Sequence, residues 1–161
     1  MELMFRPLKL YADFSGRSRR TEYWLFMLFK WLVYAVAWTI LIVAVIADGG
    51  GWQQALDNNL FADNQFPTST IASFGLLVLI WLFFFIPSLA VQIRRYHDQG
   101  MSGWLSLLNI VYYIPYLGTM VGLAILILMF LPGQVGWNNY GPDPKAPDGL
   151  DPDAGLRRVF D

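Results

Sequence analysis

IASFGLLVLIWLFFFIPSLAVQI, residues 71–93, carries no charged side chain from one end to the other. Coiled as a helix rising about 1.5 Å per residue it measures roughly 34 Å, which spans a hydrocarbon core of about 30 Å. A single run of this kind also suits the buried core helix of a soluble protein. Two others accompany it here. The run from Tyr23 to Ala47 holds one charge, Lys30, and the still longer run from Gly103 to Leu131 holds none. A chain of 161 residues that is 56% hydrophobic, 17% aromatic and 14% charged keeps no polar domain able to bury all three. The sequence therefore predicts an all-α fold, a polytopic membrane helix bundle.

Composition also bounds the chemistry. The first apolar run begins near residue 23 and is far longer than a signal-peptide core of about 7–15 residues, so the first span is expected to remain in place. With no cysteine, disulfides, thiolate nucleophiles and cysteine-based zinc or iron–sulfur centres are excluded. A formal net charge of −1 argues against a broad basic face, and no nucleic-acid partner is expected.

Cation placement sets the orientation. The N-terminal stretch up to Thr21 holds Arg6, Lys9, Arg17, Arg19 and Arg20, and the link after the second run holds Arg94 and Arg95, whereas residues 48–70 hold no Lys or Arg. The positive-inside rule then puts the N-terminus and the 94–102 link in the cytoplasm and the 48–70 loop outside. Both signals agree with two antiparallel spans.

The third run is too long for one upright span, since as continuous helix it would extend about 43 Å. IPYLGTMVG, residues 114–122, supplies a break. Pro115 removes a helical donor and disfavours helix at Ile114, while Gly118 and Gly122 loosen the chain or pack it closely. Two arrangements follow: a single kinked span, or a hairpin of short helices at about 103–114 and 117–131, giving three to four membrane helices in all. Lys145, Arg157 and Arg158 in the tail favour the hairpin, which returns the C-terminus to the cytoplasm. Unpaired backbone at membrane depth, tolerated only against protein or water, weighs the other way.

Between the second and third runs lies QIRRYHDQGMSGW, residues 92–104. If the helix continues through it, Asp98 sits four residues from Arg94 and three from Arg95, within pairing reach of either. Gly100 suits a helix C-cap and Ser102 an N-cap, which makes QGMS a tight turn between helices. Arginines near a helix C-terminus complement its dipole and keep their heads wet.

Three motifs carry a more specific signal. FSGRSRRTEYW (14–24), RRYHDQGMSGW (94–104) and GQVGWNNYGPDP (133–144) closely resemble, in order and in their placement around apolar runs, the signatures of the bacterial DUF805 family of small inner-membrane proteins. The resemblance spans roughly residues 8–145. It implies a multi-pass inner-membrane location and no particular reaction. The polar loop at 48–70 and the acidic extension after Lys145 depart from the compact family pattern.

Enzymatic readings find little footing. His97 beside Asp98 offers the elements of an oriented base, but neighbouring helical residues do not face each other. GMSG lacks the spacing of a nucleophile elbow, and no HExxH is present. DGLDPDAG, residues 148–155, is acidic but lacks the EF-hand pattern and its closing Glu. No catalytic, cofactor or metal site is expected.

Transport is a stronger rival. Lys30 lies eight residues past Glu22, about 12 Å along the helix, and an intramembrane charge is either functional or snorkels to the headgroups. The interrupted IPYLG segment and the Gly118 to Gly122 spacing fit a solute path, helix association or simple close packing. Trp24, Trp104 and Trp137 fall beside segment ends, where amphipathic rings favour headgroup depth.

The sequence thus predicts a helical membrane domain over residues 1–131, with a cytoplasmic N-terminal segment, and a Gly/Pro/Asp-rich C-terminal tail over 132–161. Arg17, Arg20, Glu22, Arg94, Arg95, His97 and Asp98 form a candidate charge cluster at one membrane face, and Lys30 is the candidate intramembrane polar residue. Expected partners are the lipid bilayer with its anionic headgroups and a membrane protein or second copy. The expected role is an interaction or regulatory module, with a small oligomeric channel or transporter component as the alternative.

Overall fold

A computed structural model describes residues 2–48 and 68–145. The rest of the 48–70 loop, the DGLDPDAG stretch, Arg157 and Arg158 lie outside the described residues. The fold is helical: α1 (Glu2–Lys9), α2 (Arg20–Asp48), α3 (Thr68–Asp98), a 3₁₀ turn (Gly103–Leu107), α4 (Leu108–Val111) and α5 (Leu117–Phe130). Among the described residues the one β feature is an isolated bridge between Asn138 and Gly141. α2 and α3 are both long and apolar enough to cross a membrane.

The chain divides into two compact units, Leu28–Phe85 and the pair Met1–Met27 with Ile86–Asp161. In the first, α2 and α3 run antiparallel. The ring of Phe84 lies 5.8 Å from that of Phe29 and 6.3 Å from that of Tyr34. Val33, Ala37 and Ile40 line an apolar groove with Leu76 and Ile80. Large apolar side chains such as Trp31, Leu32, Val36 and Leu79 face outward. Water penalises that distribution at roughly 25 cal/mol per Å² of apolar surface, and hydrocarbon does not.

The second unit inverts the order of a soluble protein. Its buried groups include Arg17, Glu22, Arg94, Arg95 and Asp98 beside Phe26, Ala90, Val91, Tyr96 and Met129. α3 ends as its sequence predicts. Gly100, at φ +73°, takes the left-handed position, with the Gly100 N–H on the His97 carbonyl and the Met101 N–H on that of Tyr96, a Schellman closure. Ser102 then caps the 3₁₀ turn by accepting from the Trp104 N–H at 3.4 Å.

The third apolar run folds back on itself. Gly103 abuts Ile93 and His97 at the end of α3, and at the other end of the run Leu128 and Leu131 accept hydrogen bonds from Gln99 and Arg95. Between them the helix breaks over Tyr112–Tyr116, and Tyr116 has φ +64°. Tyr112 packs against Gly118 and Gly122, so the small residues serve a close approach within this hairpin. α5, 14 residues or about 21 Å long, falls short of a hydrocarbon core of about 30 Å.

Candidate functional site

The first turn of α2 carries Glu22 and the last turns of α3 carry Arg94, Arg95 and Asp98. Each sign suits its helix end, since the N-terminal dipole favours a carboxylate and the C-terminal dipole a cation. Two carboxylates organise the site. Asp98 accepts from Arg17 Nε at 3.0 Å and from Arg95 Nη1. Glu22 accepts from Arg6 Nη1 at 3.1 Å and lies 3.7 Å from Arg94 Nη2, a charge contact too long for a hydrogen bond.

Three buried arginines, Arg17, Arg94 and Arg95, thus face two buried carboxylates, Glu22 and Asp98. Backbone dipoles meet much of the imbalance. Arg17 donates through Nη1 to the carbonyls of Gly136 at 2.5 Å and Gly141 at 3.3 Å, and through Nη2 to that of Gln134. Arg95 Nη2 reaches Leu131, Arg20 Nη1 reaches Phe130 at 3.1 Å, and Arg19 Nε reaches Pro144. The last carbonyls of α5 therefore end on cationic donors, as an unpaired helix C-terminus requires.

Residues 133–144 close the site around the end of α3. The Gln134 N–H donates to the Asp98 carbonyl and Asn138 Nδ2 to that of His97, both at 2.8 Å. The Ser18 N–H takes the Arg94 carbonyl at 3.1 Å. A Cβ at position 133 would fall on the Asp98 carboxylate, so only glycine lets the loop approach so closely. Asn138 and Gly141 exchange backbone hydrogen bonds, and the Asn138 side chain accepts the Tyr140 N–H at 2.9 Å.

Two loop carboxylates are tuned by these contacts. Burial pushes Asp143 up, but N–H donors from Lys145 and Gly136 and the Arg17 charge outweigh it and hold its pKa below the ordinary value. The hydroxyl and N–H of Ser15 lower that of Asp13. Both stay ionised at neutral pH.

The structure brings Arg17, Glu22, Arg94, Arg95 and Asp98 together as buried ion pairs, with Arg20 at their edge. His97 stands apart from Asp98: its Nδ1 lies 3.2 Å from the Gly16 carbonyl, and its ring stacks on Tyr140 with centroids 3.9 Å apart. Lys30 is half-buried on α2 in the other unit. Among the described residues, no group of three His, Asp or Glu side chains is placed to hold a metal.

Sequence reasoning missed Arg6, which is 16 residues from Glu22 with no helical register to connect them. It also missed Gln92 and Asn109, whose amides donate to each other at 3.2 and 2.9 Å and tie α3 to α4. Two amides set in apolar runs were the available signal, since such groups need partners away from water.

The chain is similar to inner membrane protein YhaH of Escherichia coli K12, 34% identical over 145 residues that cover 90% of this chain and 98% of that protein. It is also similar to inner membrane protein YhaI of the same organism, 32% identical over 145 residues that cover 90% of this chain and 97% of the other. No solved structure matches. The profile of DUF805, a protein of unknown function, matches residues 11–142, and the chain, an integral inner-membrane protein, belongs to that family.

Proposed function

We propose that this protein is a multi-pass interaction or regulatory module, without catalytic activity of its own, whose N-terminus, 94–102 link and residues 133–145 face the cytoplasm. One observation carries the reading. Arg17, Arg20, Arg95 and Asp98 are engaged with each other and with backbone carbonyls, and Arg94 meets Glu22 through charge alone, which suits a clasp that holds helix ends in fixed relation. The cation distribution supports the orientation, and the inner-membrane relatives support the compartment.

Such a rigid end offers a partner a stable face, and its exposed cations Arg6, Lys9 and Arg20 offer anionic headgroups about 1 kcal/mol each near the surface. The partner in this reading is another membrane protein or a second copy. Crosslinking in native membranes followed by purification should recover one partner at fixed stoichiometry. Recovery of the monomer alone at every crosslinker concentration argues against the module. The broken hairpin at Tyr112–Tyr116 favours a second reading, a small channel or transporter component, because interrupted helices often mark solute sites. Solute-dependent flux through reconstituted pure protein would establish that alternative.

A further inference from the structure

The loop that closes the clasp turns its large apolar side chains outward. Several of its polar groups turn inward: the carbonyls of Gln134, Gly136 and Gly141 accept from Arg17, and Asn138 caps the end of α3, while the side chains of Gln134 and Asn139 stay exposed. Its large apolar side chains turn outward, with Val135 93% and Trp137 52% exposed. Water penalises the exposure of two such side chains side by side, whereas the boundary of a bilayer accepts them together with polar neighbours.

Continuity fixes the neighbourhood. Val135 follows Phe130, the last residue of α5, by five residues, so its Cα lies at most about 18 Å from that helix end. α5 bears no charge and is apolar on every side, as a helix immersed in hydrocarbon must be. Trp104, 78% exposed, flanks the other end of the same hairpin. Arg20 is bonded to the Phe130 carbonyl, which places a cation where α5 ends.

We propose that Val135 and Trp137 form a membrane-interface wedge: both side chains insert at the boundary between headgroups and acyl chains, and the lipid surface covers this face of the 133–144 loop. The indole suits that depth, with an apolar body and one N–H for the headgroup layer. The wedge anchors the loop from outside while Arg17 anchors it from inside. It rests on the membrane reading alone and holds whichever side the loop faces.

The absence of cysteine makes the test clean. Val135→Cys, Leu126→Cys and Lys145→Cys in the full chain each receive one nitroxide label. Reconstitution is in phosphatidylethanolamine and phosphatidylglycerol bilayers, and collision rates are measured with oxygen, which partitions into lipid, and with a water-soluble nickel chelate. The Val135 label should follow the Leu126 label on α5, with oxygen collisions several-fold favoured over nickel. If it collides with nickel as freely as the Lys145 label, the wedge is wrong while a lipid-exposed Leu126 label keeps the membrane reading intact. Nickel access at both Val135 and Leu126 overturns the two together. Low access to both reagents at Val135 means protein covers the loop, which also overturns the proposal. Trp137 supplies a second readout that needs no label. Lipids brominated close to the headgroup should quench the emission that Trp137→Phe removes, and unquenched emission counts against insertion.

Discussion

Asp98 is the residue on which the clasp turns. It carries two arginines, Arg17 and Arg95, all three nearly inaccessible to solvent. Removing one partner of a buried ion pair strands the other at a cost of roughly 3–5 kcal/mol. Asp98→Asn is accordingly expected to lower the thermal midpoint in detergent more than any single change among the surface cations, by differential scanning fluorimetry. Glu22 offers a sharper test, because Arg94 is its neighbour while Arg95 is committed to Asp98. Glu22→Arg should destabilise, Arg94→Glu should restore part of the loss, and Arg95→Glu should add to it. Equal recovery from both reversals would refute that assignment. Asp143 gives a pH signature. Its lowered pKa means that its contribution is complete above the ordinary value of 3.8 and is lost only as pH falls through the lower folded value. The protection factor of the Gly136 amide, its intrinsic exchange rate over the observed one, should hold through the ordinary carboxylate range and fall only below it, whereas in Asp143→Ala it should be low at every pH. The cluster members were legible because their signs suit the helix ends they occupy. Their pairing was less so: a spacing of three or four allowed either Arg94 or Arg95 to take Asp98, and only the loop from Gln134 to Gly141 decides how Arg17 is oriented.

Helix ends were more readable than helix interiors. QGMS contains both punctuation marks, glycine after the last turn and serine before the next, and the chain stops and restarts there. Gly100 is required by its left-handed backbone, and the exposed Gln134 amide that a Cβ would meet is free to move aside. The third apolar run was legible only as two alternatives, since Pro115 breaks a helix without saying which way the chain continues. Direction comes from tertiary bonds at its far end, where Gln99 and Arg95 hold the carbonyls of Leu128 and Leu131. A reporter fused at the C-terminus should therefore register on the same side of the membrane as one placed in the 97–102 turn. Opposite sides would require the run to cross, and the return geometry would be wrong.

For the molecule as a whole, the apolar runs were legible before any contact was known, because length and the lack of charge make a helix able to span lipid. The site was less visible, since it joins residues that are far apart in sequence through backbone carbonyls that carry no residue code. Its separations set a timetable for biosynthesis. Arg17 and the Gln134 carbonyl that helps to hold it are 117 residues apart in the chain. At roughly 5–20 residues per second a ribosome needs on the order of 6 to 23 seconds to travel between them. Both long helices have been synthesised in that interval, while Arg17 and Asp98 still await the segment that completes their coordination. A transcript cut short before Gly133 should therefore yield a chain that inserts normally yet presents an open charged end to membrane proteases. Pulse-chase labelling should show it disappearing several-fold faster than a chain carried through Lys145, so that the last shared motif acts as a checkpoint on complete translation.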